Sequence, residues 1–254
     1  MTGKLLLRGM LVGVLAGLIA FGFARLFGEP EVDRAIAFEE QMSAMHEAEE
    51  AAANGGMAAH DHEEELVSRE VQASIGLLTG VVVYSAAMGG LFALVFAYRL
   101  GRSGRLSPRA LSALLALAAF VTLYLVPSLK YPANPPSVGD PDTIRQRTTL
   151  FFLMIAVSIA AAAIALNLTR RLAASHGAWA GSIAGVALYV VVCIVAAALF
   201  PAVREVPKDF PADLLWQFRL VSLGIQAILW STVGLVFGWW IESKPLGQSL
   251  IGKA

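Results

Sequence analysis

Six stretches of apolar residues divide this 254-residue chain, and each is long enough to cross a lipid bilayer as a helix. The hydrocarbon core of a bilayer is about 30 Å thick, and a helix of about 20 residues crosses it. The pattern therefore predicts an all-α polytopic membrane helix bundle with six transmembrane helices. The stretches run over Leu5–Phe27, Val71–Tyr98, Ala110–Val126, Thr149–Thr169, Ala178–Leu199 and Leu215–Ile241.

The apolar stretches define three regions along the chain. Residues 1–27 are predicted to form the first transmembrane helix, and residues 28–70 an acidic, partly helical extracytoplasmic loop that contains histidine and methionine. Residues 71–254 are predicted to form a five-helix transmembrane bundle with proline-rich outer loops at 127–148 and 200–214.

Composition agrees with a membrane protein and excludes several other classes. Hydrophobic residues make up 57% of the chain and charged residues 15%, with a formal net charge of zero, so nothing suggests nucleic-acid binding. The single cysteine, Cys193, lies in an apolar stretch and rules out a disulfide framework or a thiolate zinc cluster. Neither a nucleotide-binding GxxxxGK[ST] loop nor a nucleophile and base at helical spacing occurs within the spans. We therefore predict that the protein is not an enzyme.

Basic residues fall unevenly on the two sides of the predicted bundle. The side with both termini carries ten basic residues and one acidic residue, whereas the other side carries nine basic and 18 acidic residues. Thirteen of those acidic residues lie in the loop 28–70. Short cytoplasmic loops retain lysine and arginine, so both termini are predicted to be cytoplasmic.

Glycines recur at four-residue spacing inside the spans, which predicts close helix packing. In lipid, small residues let two backbones approach closely, and van der Waals contact then holds the helices together. The glycines are Gly9, Gly13 and Gly17 in the first span, Gly76 and Gly80 in the second, Gly181 and Gly185 in the fifth, and Gly234 and Gly238 in the sixth.

The first part of the acidic loop has the pattern of a helix from Val32 to Ala53. Within it, Met42, Met45 and His46 stand at i, i+3 and i+4, and Glu50 lies one turn beyond His46. One imidazole, one carboxylate and two thioethers on one face could form a weak transition-metal site. The alternative is that the methionines belong to an apolar stripe that rests on the bundle or on the bilayer surface.

The second part of the acidic loop contains the sequence MAAHDHEEE. His60 and His62 lie two residues apart, so in an extended chain both imidazoles point the same way, with Asp61 beside them. Imidazole and carboxylate suit divalent cobalt, nickel, zinc or copper. The segment is interpreted either as a transient metal collector or as a merely solvated acidic loop.

Two outer loops rich in proline supply further candidate polar residues. Proline restricts its own backbone and that of its predecessor, so these loops are predicted to be stiff connections at the outer mouth of the bundle. Inside the spans few large polar residues occur, and Arg25 and Arg219 are predicted to pair with Glu29, Asp33 or Asp213. The outer-mouth candidates are Lys130, Tyr131, Asn134, Asp140, Asp142, Glu205, Asp209 and Asp213.

Four stretches resemble a known family along essentially the whole chain. They are LLLRGMLVGVLAGLIAFGFARLFGEPEVDRAIAFEE, VSREVQASIGLLTGVVVYSAAMGGLFALVFA, KYPANPPSVGDPDT and EVPKDFPADLLWQFRLVSLGIQAILW. These stretches resemble the CbtA family, the proposed cobalt transporter subunit, and KYPANPP is the most specific of them.

The resemblance implies a multi-pass protein of the bacterial inner membrane that takes part in cobalt uptake for corrin synthesis. It implies a small single-span, histidine-rich CbtB-type subunit as partner, transported Co²⁺ or another divalent transition metal, and no tightly bound cofactor. This chain departs from the family pattern because its first loop holds few histidines.

The sequence leads to one functional hypothesis and one alternative. The hypothesis is a membrane subunit of a divalent metal uptake system for cobalt, whose outer loops collect the cation for passage through the bundle. The alternative is a non-transporting scaffold or sensor subunit that binds a partner membrane protein. The sequence does not fix a homo-oligomeric state.

Overall fold

The computed structural model of this protein describes residues 2–54, 67–104, 106–136 and 138–244. All regular structure in these ranges is helical, and they contain no strand. The helices are α1 Thr2–Phe23, α2 Glu29–Asn54, α3 Arg69–Val71, α4 Leu77–Arg99, α5 Pro108–Ala119, α6 Val126–Lys130, α7 Pro141–His176, α8 Ala178–Leu199 and α9 Ala212–Ser243. Short π-helical turns at Ala24–Gly28, Gln72–Gly76 and Phe120–Leu125 join α1 to α2, α3 to α4 and α5 to α6.

Six helical segments are long and apolar enough to cross a membrane, and they confirm the six spans predicted from the sequence. The first is a 48-residue segment in which α1 continues through its π-turn into α2. The segments are Thr2–Glu49, Arg69–Arg99, Pro108–Lys130, Asp142–His176, Ala178–Leu199 and Ala212–Ser243.

The helices divide into two units by their internal contacts. The first comprises Met1–Leu115, Asn134–Val138 and Lys208–Ala254, and the second comprises Ala116–Ala133 and Gly139–Pro207.

Close packing of α1 on α4 forms the centre of the first unit. A Cβ atom added to Gly13 would lie 2.9 Å from the Cα of Ala86, and one added to Gly17 would lie 2.9 Å from the Cα of Val82. These contacts agree with the packing role predicted for the glycines of the first span.

In the second span the packing glycine differs from the predicted Gly76 and Gly80. Gly89 contacts the backbone of Gly9 and Gly13, whereas nothing in the described part of the chain lies within 4 Å of a Cβ added to Gly80. At about 100° per residue, the nine residues from Gly80 to Gly89 place the two glycines on opposite faces of α4. Ser85, one turn before Gly89, is fully buried at the same crossing.

Aromatic rings and one interhelical hydrogen bond hold α9 within the first unit. The buried ring of Phe237 meets those of Phe92 and Phe96 edge to face, with centroids 5.6 Å and 5.1 Å apart. The buried hydroxyl of Ser112 donates to the carbonyl of Gly234 over 2.7 Å. Such a bond satisfies a polar group that lipid cannot solvate.

The second unit is built on the pairing of α7 and α8. A Cβ atom added to Gly181 would lie 2.6 Å from the carbonyl oxygen of Thr169, which shows how closely the two backbones approach. Ser158 and Tyr189 share a hydrogen bond of 2.8 Å between these helices. The buried core of the unit consists of Tyr131, Leu150, Met154, Ala161 and Cys193.

Candidate functional site

The start of α2 carries a buried carboxylate that binds an arginine near the end of the acidic loop 28–70. Glu29 is only 7% exposed, and it accepts a hydrogen bond from Nη2 of Arg69. The same guanidinium donates from Nη2 to Oδ1 of Asp33 over 2.9 Å. Asp33 lies one helical turn after Glu29, so one side chain bridges two carboxylates on the same face of α2. The contact joins α3 to the start of α2.

A second arginine links α2 to the start of α9. Arg34 donates to Oε2 of Glu31 over 2.8 Å and to Oδ2 of Asp213 over 3.1 Å. The hydrogen bond with Arg34 lowers the pKa of Asp213, and the bond with Asp213 raises the pKa of Arg34. Both side chains are exposed, so solvent screens the pair.

Glu29, Asp33 and Asp213 have arginine partners that the sequence did not single out. Glu29 and Asp33 bind Arg69, and Asp213 binds Arg34, whereas Nη2 of Arg219 donates to the amide oxygen of Asn134 over 3.1 Å. The pairing of Arg25 and Arg219 with these carboxylates stays a prediction.

The exposed part of α2 carries the methionine and histidine side chains that the sequence places on one face. Met45 is 58% exposed, His46 is also exposed, and Met42 is half-buried. The backbone of Glu50 continues the same helix. His60, Asp61 and His62 lie outside the described residues.

In the second unit, Glu205 is the centre of a polar network between the two proline-rich loops and the start of α7. Its side chain is only 3% exposed and accepts from Nη1 of Arg147 over 3.1 Å and from the hydroxyl of Thr143. Arg147 also donates from Nη2 to the carbonyl of Pro132 over 2.7 Å. The charges of Glu205 and Arg147 compensate each other. Their hydrogen bonds also join the two proline-rich loops to the start of α7.

Tyr131 connects the same two loops through its hydroxyl. It is 3% exposed and donates to the carbonyl of Pro201 over 2.8 Å. Burial raises the pKa of Tyr131, so the phenol keeps the proton that this bond requires. The ammonium of Lys130 lies 6.0 Å from the centre of the Tyr131 ring, at the outer limit of a cation–π contact.

The aspartates of the two proline-rich loops and the adjoining helix starts occupy different environments. Asp140 caps α7, because its Oδ1 accepts from the backbone N–H of Asp142 over 2.9 Å. Asp142 lies in the first turn of α7, where a negative charge is favourable, and is exposed. Asp209 is exposed in the turn that precedes α9.

Comparison with known proteins identifies the family. Residues 2–242 match the family model described as a probable cobalt transporter subunit (CbtA). The chain belongs to the CbtA family. This match confirms the resemblance found in the sequence. A search of curated proteins found no match, and a search of solved structures found none.

Membership of the CbtA family identifies a subunit of a transport system, and the six spans identify a multi-pass membrane protein. The family description is that of a transporter subunit and not of an enzyme.

No tight metal centre occurs among the described residues of this CbtA chain. Within those ranges, no three His, Cys, Asp or Glu side chains lie together in a group that could hold a metal ion. Asp213, Glu205 and Asp140 each bind a protein partner, as described above. The metal-ligand residues predicted from the sequence stay predictions.

Three arginines, two in the first unit and one in the second, were not singled out from the sequence. Arg34, Arg69 and Arg147 each bind a carboxylate. A signal was present, because the side of the chain rich in acids contains nine basic residues that favour acidic partners. Which carboxylate each arginine binds depends on the folded arrangement.

Proposed function

We propose that this CbtA chain collects hydrated cobalt on its outer face and delivers it to a path through the membrane. The observation that carries the proposal is the continuous helical segment Thr2–Glu49. At 1.5 Å per residue, 48 residues extend about 70 Å, more than twice the thickness of a bilayer core. The acidic part of α2 therefore continues well beyond the membrane.

The chemistry of this projecting helix suits capture better than tight binding. Glu39, Glu40, Glu47 and Glu49 give it a negative field that concentrates divalent cations. Met42, Met45 and His46 add soft and imidazole ligands on one face, with Glu50 one turn beyond. His60, Asp61 and His62 would extend the collector. Weak and exchangeable ligands release their ion, as a transport system requires.

The proposed orientation places both termini in the cytoplasm. Arg8 of α1 donates to the carbonyl of Lys244, just after α9, while Arg34 of α2 binds Asp213 at the start of α9. The beginning of α1 and the end of α9 therefore lie at the same end of the first unit. The excess of basic residues on that side supports its assignment to the cytoplasm.

We place the protein in the bacterial inner membrane, with a small single-span, histidine-rich CbtB-type subunit as partner. Polar residues of the outer loops would border the entrance for Co²⁺ or a similar divalent ion. They are Lys130, Tyr131, Asn134, Asp142 and Asp209.

A second candidate is a scaffold or sensor subunit that does not itself pass the ion. The contacts that Glu205, Asp140 and Asp213 make within the protein favour this scaffold or sensor role. Carboxylates engaged in ion pairs and helix caps are less able to exchange metal ions. In this case the partner subunit would carry the conduction path.

Cobalt uptake at limiting concentration tests the collector. We expect substitution of Met42, Met45 and His46 by alanine to reduce the initial uptake rate when cobalt is scarce and to have little effect when it is abundant. His176→Ala is the matched control, since His176 is exposed at the end of α7 and outside the acidic loop. Equal uptake by the triple variant and wild type at limiting cobalt would remove this helix from the proposal.

A further inference from the structure

A cavity of about 250 Å³ opens in the second unit beside the first proline-rich loop. Its lining includes Tyr124, Ser128 and Pro132 from the end of the third span and the following loop, and Arg147, Thr148 and Phe151 from α7. Ligand pockets usually measure about 300–1,000 Å³, so this cavity suits a headgroup rather than a whole large molecule.

The cavity lies where two membrane spans end. The span Pro108–Lys130 includes Ser128 in its last turn, and the span Asp142–His176 includes Arg147 and Thr148 in its second turn. Phe151 lies one turn deeper along α7 than Arg147. The wall therefore changes from charged and hydroxylated at the level of lipid headgroups to aromatic at the level of the acyl chains.

Hydrogen-bond donors in the lining favour an occupant rich in acceptor oxygens over a metal cation. Among the described residues, the lining contains the guanidinium of Arg147 and no carboxylate, while Glu205 compensates its charge from outside the lining. A guanidinium has five N–H groups, and the bonds to Glu205 and Pro132 engage two of them. These bonds also fix the position of the guanidinium before any ligand arrives. These lining residues offer no carboxylate or imidazole ligand for a divalent transition metal.

We propose that this cavity binds a phosphate group, carried by a phospholipid of the surrounding bilayer. Arg147 donates to the phosphate oxygens, and the hydroxyls of Ser128 and Thr148 provide further hydrogen bonds. Phe151 and Tyr124 contact the glycerol and the first carbons of the acyl chains. The site is separate from the cobalt collector and does not depend on it, and it would anchor a lipid at the end of α6.

Native mass spectrometry of the detergent-purified full chain tests the site. We expect the delipidated protein to bind one phosphatidylglycerol saturably, and Arg147→Gln to weaken this binding by at least about tenfold, the loss expected for one charge-assisted hydrogen bond. Thr148→Phe fills the cavity while leaving the Arg147–Glu205 pair in place, and should weaken binding equally. Leu129→Phe is the control, because Leu129 is 78% exposed and next to Ser128 but outside the lining.

Three further outcomes decide the ligand. Diacylglycerol, which lacks the phosphate, should bind far more weakly, and equal binding would overturn the proposal. Unchanged binding of phosphatidylglycerol by Thr148→Phe would also overturn it. Displacement of the lipid by inorganic phosphate at equal concentration would support a phosphate site and overturn the lipid as its source.

Discussion

Replacing Glu205 by glutamine should destabilise the protein by about 3 kcal/mol. The substitution keeps the size of the side chain but removes the charge that compensates Arg147. Removal of one member of a buried ion pair typically costs about 3–5 kcal/mol, because the remaining charge is left without compensation. The side chain of Glu205 is 3% exposed and that of Arg147 is 25% exposed, so partial solvation of the arginine places the cost at the lower end of this range.

The free energy of unfolding is measured in mixed micelles. The fraction of a denaturing detergent is increased stepwise, and unfolding is followed by tryptophan fluorescence. Glu242→Gln is the matched control. Its pair with Arg109 spans 3.5 Å, with side chains 38% and 52% exposed, and exposed pairs contribute about 0–1 kcal/mol. The double variant Glu205→Gln with Arg147→Met should recover at least half of the loss, since it removes both charges.

The same titration in the presence of Co²⁺ decides whether Glu205 also serves as a metal ligand. A ligand that binds only the folded state raises its stability in proportion to the logarithm of ligand concentration. We expect Co²⁺ to leave the stability difference between Glu205→Gln and wild type unchanged. A loss below about 1 kcal/mol for Glu205→Gln would refute the reasoning on the buried pair. A cobalt-dependent difference would instead identify Glu205 as a ligand.

Further predictions concern the helix crossing and the exposed ion pair. Gly13→Ala should destabilise the same unfolding transition by about 1–3 kcal/mol, because its Cβ would overlap the backbone of α4 near Ser85, whereas Gly22→Ala should be neutral or stabilising, since nothing described lies within 4 Å of its Cβ. The hydrogen bond from Arg34 lowers the pKa of Asp213 in the folded protein, so the pair stabilises the fold above the ordinary pKa of an aspartate and is lost as the pH falls through the lowered pKa. Asp213→Asn should therefore lower the melting temperature slightly at neutral pH, and this difference should vanish in strong acid; a difference that persists there would contradict the assignment.

The fold could be predicted from the sequence because a bilayer imposes length and polarity on every span. Both α8, at Ala178–Leu199, and the first span stand out by their apolar length alone. The face on which a helix packs was harder to predict. Gly9 and Gly13 had the right spacing, but Gly80 was indistinguishable in sequence from Gly89, and only the helix on the other side decides between them.

The candidate site was less predictable because its contacts join distant parts of the chain. Arg69 is 40 residues from Glu29, and Arg34 is 179 residues from Asp213. The composition of a loop indicates that its acidic and basic side chains will form ion pairs. It does not show which side chains pair with each other. Proline content predicts stiff loops, but the hydrogen bonds of Arg147, Glu205 and Tyr131 that join the two loops are visible only in the folded structure.

Cobalt accumulation in cells that lack other cobalt importers tests the central claim most directly. Cells would express this chain alone, the proposed single-span partner alone, or both together. We predict accumulation above background when both are present, with a rate that falls when the acidic residues of α2 are neutralised. Background accumulation with both subunits present, each verified to be in the membrane, would contradict a role in cobalt uptake.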